Sequence, residues 1–217
     1  MKAYTTILFD LDGTLTDPKV GITKSVQFAL AKLGIAEPDL EKLTPFIGPP
    51  LHVNFQRVYH FSPSQVQLAV EYYRQYFKEG GMYENVPYDG ITRLLKSLKR
   101  QSRRLIVATS KPTVFAEQIL NHFDLSPFFD CVIGSNLDGT RSDKSEVISY
   151  VMSQYGDIPK ADFVMVGDRE HDIIGAHSSG IHCVGVTYGY GSRDELMRVN
   201  PTHAADTVYD LFEILGC

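Results

Sequence analysis

"TTILFDLDGT" (Thr5–Thr14) decides the fold. Thr6 to Phe9 form a short, mostly apolar run that does not alternate with charged residues, the pattern of a strand covered on both faces. Two carboxylates follow at once, Asp10 and Asp12, and then Gly13 and Thr14. A buried strand that ends in charge and then turns is suited to deliver side chains to the carboxyl edge of an open parallel sheet, where such sheets bind ligands.

Four further runs share the pattern: Leu105 to Ala108, Cys131 to Gly134, Phe163 to Val166 and Cys183 to Val186. Helical spacing separates the later ones. Ile91, Leu94, Leu95 and Leu98 share one face, as do Phe115, Ile119, Leu120 and Phe123. Strand–helix alternation predicts an α/β fold with a parallel sheet. The gap from Leu15 to Gly90 is far too long for an ordinary crossover. It carries its own helical stripes: Ile22, Val26, Ala29, Leu30 and Leu33; Leu51, Phe55, Val58 and Tyr59; and Val66, Val70, Tyr73 and Phe77 behind a Ser62–Gln65 capping box. The expected organisation is a core of residues 1–15 and 85–217 with an all-helical insertion, residues 16–84.

Of the 217 residues, 43% are hydrophobic and 22% charged, enough to build a packed core. Net charge is −5. The brief basic run Lys99, Arg100, Arg103 and Arg104 reads as a solvated helix end. Nucleic acid polymers and anionic membranes are therefore not expected partners, and no obligate protein partner is evident. No apolar stretch approaches the roughly 20 residues of a membrane span. The first residues lack a basic-then-apolar leader. Three cysteines, an odd number without paired spacing, read as reduced thiols, so a cytoplasmic location is expected.

The predicted strand ends gather Asp10 and Asp12, then Thr109 with Ser110 and Lys111, then Asp168 with Asp172 four residues on. Converging carboxylates repel, and a divalent cation is the simple compensator. An all-oxygen donor set suits Mg²⁺. Residues i and i+2 of an extended segment project to the same side. Asp10 can then attack phosphorus while Asp12 handles protons. Gly13 permits the turn, Thr109 offers a hydroxyl to a phosphate oxygen, and Lys144 can neutralise developing charge. Arg141, beside Lys144, is a candidate anion ligand.

These motifs, "DLDGT" (Asp10–Thr14), "VATSKP" with Thr109, Lys144, and "VGDREHD" with Asp168 and Asp172, resemble those of the haloacid dehalogenase-like superfamily, and are similar to its phosphoglycolate phosphatase-like members. The resemblance spans essentially the whole chain. It implies a Rossmann-like core with a helical cap, a required Mg²⁺ and a covalent aspartyl-phosphate. It casts Asp10 as nucleophile and metal ligand, Asp12 as acid/base and main-chain ligand, Asp168 as ligand and Asp172 as its support. The substrate implied is a small soluble phosphorylated metabolite, phosphoglycolate-like or a nucleoside monophosphate, met by Gly13, Ser110 and Lys111. Asp12 itself favours phosphoryl transfer, since release of a halide needs no proton.

A phosphosugar mutase and a non-catalytic phospho-ligand binder are the alternatives. A phosphonatase would need a cap lysine, and Lys19, Lys24, Lys32 and Lys42 read more simply as helix-surface charge. "PFIGPPL" (Pro45–Leu51) is either a stiff loop that reads the substrate through Phe46, Ile47 and Gly48, or a helix connector. "YGYGS" (Tyr188–Ser192) reads as a loop.

Overall fold

The computed structural model describes residues 4–217. The chain divides into two compact units, Met1–Thr16 with Pro87–Cys217, and Asp17–Val86. The breaks fall after Thr16 and after Val86.

The larger unit is built on six strands: β1 (Thr6–Phe9), β4 (Arg104–Pro112), β5 (Cys131–Ser135), β6 (Phe163–Gly167), β7 (His182–Val186) and β8 (His203–Ala205). The remaining two, β2 (Thr16–Asp17) and β3 (Val86–Pro87), are two-residue segments at the breaks. The sheet order is β5-β4-β1-β6-β7-β8. Every pairing is parallel, with Leu8 opposite Ile106 on one side and Met165 on the other. The five apolar runs all appear as strands. The sixth, β8, is three residues long at the sheet edge and has no apolar run to betray it.

Helices complete the layers. They are α4 (Ile91–Arg100), α5 (Thr113–His122), α6 (Lys144–Gln154), α7 (Glu170–Ser179), α8 (Arg193–Arg198) and α9 (Val208–Leu215). One sheet face, with Leu8, Ile106, Ala108, Met165 and Cys183, packs against Val147, Ile148 and Val151 of α6 and Ile173 and Ala176 of α7. Ile7 and Phe9 alternate to the opposite face. Ile91, Leu94, Leu95 and Leu98 of α4 are fully buried, as their spacing predicts. Each such side chain contributes about 1.5–3 kcal/mol by leaving water.

The smaller unit holds α1 (Lys19–Lys32), α2 (Leu51–Tyr59) and α3 (Pro63–Glu79), with a 3₁₀ turn over Leu40–Phe46. The Ser62–Gln65 capping box is formed. On α2 the buried face is Asn54 and Phe55, while Val58 is exposed. Asn54 is tolerated there because its Nδ2 donates to Pro45 O and its Oδ1 accepts from Arg57. No helix among the described residues is long and apolar enough to cross a membrane.

Candidate active site

The site lies within the larger unit, at the carboxyl ends of β1, β4 and β6. These three strands are neighbours, so residues distant in sequence meet. β1 extends to Asp10, whose amide donates to Val166 O at 2.9 Å. The chain then folds back, with Leu15 N donating to Leu11 O and Gly13 N to Thr16 O. Gly13 has φ +82°, and a Cβ there would lie 2.2 Å from Asp168 Oδ2. Glycine is required both by the left-handed backbone and by the approach of Asp168.

Asp10, Asp168 and Asp172 are buried, each with a carboxylate oxygen within 4.8 Å of the other two. Lys144, the first residue of α6, sits among them. Its Nζ lies 2.8 Å from Asp10 Oδ1 and 2.8 Å from Asp172 Oδ1, and donates to Ala108 O at 3.0 Å. Burial works against its charge, but Asp10 and Asp172 outweigh burial and hold the ammonium above the ordinary lysine range. Asp143 caps α6 by accepting from Ser145 N, which fixes where Lys144 enters.

Asp12 points to a second lysine. Lys111 Nζ lies 2.8 Å from Asp12 Oδ2, and both side chains are largely buried. Burial raises the Asp12 carboxyl above its ordinary value, and Lys111 limits the rise. Thr109 is buried, and its hydroxyl oxygen accepts from Lys111 N at 3.2 Å, which leaves the hydroxyl proton to point elsewhere. β4 runs on past Ala108, where the sequence pattern stops, to Pro112. Its pairing with β5 is irregular between Ala108 and Pro112. Such irregularities re-aim side chains, here over the stretch that carries Thr109, Ser110 and Lys111.

Asp168 follows β6. Its Oδ2 accepts from Tyr190 N at 2.7 Å and its Oδ1 from Thr14 Oγ1 at 3.4 Å. Burial first, then Asp172 and Asp10, push its carboxyl well above the usual range. Asp172, in the first turn of α7, accepts from Arg169 N at 3.1 Å through Oδ2 while Oδ1 faces Lys144. Both of its oxygens are engaged.

Four buried carboxylates thus share two lysines. Asp12 Oδ1 is buried without a hydrogen-bond partner among the described residues. The cluster is all oxygen; His171, beside Asp172, is exposed. A negative, oxygen-lined cluster short of positive charge fits a hard divalent cation such as Mg²⁺.

Several expected residues have other work. Phe46 and Ile47 belong to the smaller unit and are buried. The Phe46 ring lies 4.9 Å from that of Phe55 and 6.2 Å from that of Tyr59, so it is packed within its own unit. Gly48 takes φ +100° and serves the path of the chain. Arg141 donates from Nε to Gly134 O at 2.9 Å and lies over the Tyr150 ring, contacts that tie it to its own loop.

Other contacts around the carboxylates escape the sequence reading. The pairing of Lys111 with Asp12 has no spacing signature. The Tyr188–Ser192 loop wraps Asp168: besides the Tyr190 amide, a Cβ on Gly189 would lie 2.4 Å from the Asp168 Cβ. Tyr188 donates its hydroxyl to Thr14 O at 3.0 Å. The two glycines of "YGYGS" were the available signal.

Comparison with known proteins agrees with this fold. The family model for haloacid dehalogenase-like hydrolases matches residues 7–186. The chain is 49% identical to a 5'-nucleotidase of Pseudomonas aeruginosa over 98% of its own length and 96% of that protein's. It is 38% identical to the tyrosine-protein kinase PtkA of Mycobacterium tuberculosis, over 97% of this chain and 72% of that one. The crystal structure of a predicted phosphatase from Clostridium acetobutylicum is 48% identical and superimposes over the whole of both chains with a TM-score of 0.95.

Proposed function

This chain belongs to the haloacid dehalogenase-like hydrolase family and is a phosphatase, and from that premise we propose that it hydrolyses nucleoside 5'-monophosphates through a phospho-aspartyl intermediate on Asp10. The observation that carries the mechanism is the division of labour between the two strand-end aspartates. Asp10 faces Lys144 and the other carboxylates, while Asp12 faces Lys111. The choice of substrate rests on the 49% identical relative named a 5'-nucleotidase.

A carboxylate oxygen of Asp10 attacks phosphorus. The bond from phosphorus to the ester oxygen breaks, its electron pair goes to that oxygen, and Asp12 supplies the proton. Asp12, now ionised, takes a proton from water as the water oxygen attacks phosphorus. The phosphorus–Asp10 bond breaks, and inorganic phosphate leaves. Burial prepares Asp12 by favouring its protonated form, and Lys111 keeps the ionised form accessible for the second half. Lys144 fixes the attacking group, and Thr109 donates its hydroxyl to a non-bridging phosphate oxygen. Asp10, Asp168 and the main chain of Asp12 would hold Mg²⁺, with Asp172 in support, and the ion would supply charge stabilisation to the phosphoryl oxygens.

A panel of nucleoside 5'-monophosphates, phosphoglycolate and sugar phosphates tests the substrate. Inorganic phosphate should be released fastest from the nucleotides. Preference for phosphoglycolate would overturn the nucleotide assignment, and transfer to a sugar without phosphate release would identify a mutase. Asp12→Ala tests the proton role. Its loss should be on the order of 10²–10⁴-fold for a nucleotide, whose alkoxide leaves poorly, and much smaller for nitrophenyl phosphate. Equal losses for both would remove Asp12 from that role.

A further inference from the structure

Glu195, on α8, takes no part in the chemistry above, yet its carboxylate accepts from Arg169 Nε at 2.8 Å, from Arg169 Nη2 at 3.4 Å and from Glu170 N at 3.0 Å. Both side chains are largely buried, Arg169 at 13% exposure and Glu195 at 16%. Burial works to raise the Glu195 carboxyl, but Arg169 and the Glu170 amide outweigh it and hold the group below its ordinary range. A buried, paired carboxylate of this kind is costly to misplace.

Its partners sit where they matter. Arg169 and Glu170 are the two residues after Asp168, and the Arg169 amide donates to Asp172 Oδ2. On the other side, α8 starts directly after the loop whose Tyr190 amide holds Asp168 Oδ2. Ser192 caps α8 by accepting from Glu195 N at 3.0 Å. A Cβ on Gly191 would lie 1.9 Å from Asp168 O and 3.4 Å from Glu195 Oε1, so loop, turn and carboxylate are in close register. Glu195 therefore joins the two segments that grip Asp168.

We infer that Glu195 is a positioning residue: acting through Arg169 and Glu170, it holds Asp168 and Asp172 at the separation a divalent cation needs, and so sets the cation affinity of the cluster. The inference rests on the cation reading under the proposed function. Groups that orient metal ligands from behind typically change affinity by roughly 10–100-fold when removed.

The test is calorimetric titration of Mg²⁺ into the intact protein without substrate, together with the rise in melting temperature that Mg²⁺ produces. Glu195→Ala should weaken Mg²⁺ binding roughly 10–100-fold. Glu195→Gln should weaken it less, because the amide oxygen still accepts from Glu170 N. Activity lost in either variant should return as Mg²⁺ is raised. Arg193→Ala, on the same helix and in an ion pair with Asp206 that is 61% exposed on each side, should bind Mg²⁺ like wild type. If Glu195→Ala does not fold, Glu195→Gln and Arg169→Lys carry the same comparison. Unchanged Mg²⁺ affinity in the folded variants overturns the role of Glu195 alone. A wild-type protein that binds no Mg²⁺ overturns the cation reading, and this inference with it.

Discussion

Asp10→Asn yields a folded protein that releases no phosphate. The amide is a feeble nucleophile, and loss of a covalent nucleophile typically lowers kcat by on the order of 10⁴–10⁶-fold. Stability should hold or rise. The substitution removes one of three buried carboxyl groups that crowd within 4.8 Å, whose mutual repulsion opposes folding, and it leaves Lys144 still paired with Asp172. An unfolded variant and an inactive folded one are thus easily told apart by melting temperature. Rapid-quench peptide mapping of the wild-type protein should place the phosphoryl adduct on Asp10. Phosphate release near the wild-type rate from Asp10→Asn, or an adduct on another residue, would defeat the mechanism.

Lys144→Met should damage both activity and stability. The side chain is similar in length and apolar, so it fills the space but leaves Asp10, Asp168 and Asp172 without the ammonium that touches two of them. Stranding one side of a buried ion pair costs about 3–5 kcal/mol, a large part of a typical domain's stability. Two conditions should narrow the gap. Added Mg²⁺ supplies the missing charge to the folded state only, so mass action favours folding. Acid supplies protons. Asp168 has a folded-state value raised above its unfolded one, so the folded protein binds the proton more tightly. Its stabilising effect is complete below the ordinary carboxylate value and is lost as pH rises through the raised one. Equilibrium unfolding across that window, with and without Mg²⁺, measures both. Equal stability of Lys144→Met and wild type at neutral pH without Mg²⁺ would show that protons, not Lys144, neutralise the cluster.

The strands and the clustered carboxylates were legible because each depends on local pattern. Leu8 and Met165 sit in runs covered from both sides, and Asp10, Asp12 and Asp168 follow those runs directly. What escaped depends on direction rather than composition. Whether Lys111 turns toward Asp12 or a solvent-facing partner is set by the irregular pairing of β4 with β5, which no spacing reports. Whether Phe46 faces outward or packs on Phe55 depends on the 3₁₀ turn over Leu40–Phe46, hidden by the proline at position 45. Asn54 displaced Val58 from the buried face of α2 because it found partners in Pro45 and Arg57, and a hydrophobicity pattern scores only the side chain, not its partners. Glu195 was invisible for the same reason: its meaning lies in Arg169 and Glu170, some 25 residues away.

The place of β1 in the sheet sets the order in which this protein can be made. Thr6 pairs with Arg104 on one side and Phe163 on the other. During synthesis the first strand therefore emerges long before either neighbour exists, and its apolar Ile7, Leu8 and Phe9 wait without a sheet. Pairings across such sequence separations form slowly, and waiting strands are exposed to association with other chains. The segment from Asp17 to Val86, rich in local helical contacts, can fold on the ribosome in the interval. The carboxylate cluster cannot: until Asp168 and its flanking turn are translated, β1 lacks its second neighbour and Asp10 lacks its companions. A nascent chain cut short before Phe163 would carry Asp10 and most of the sequence, and no assembled carboxylate cluster.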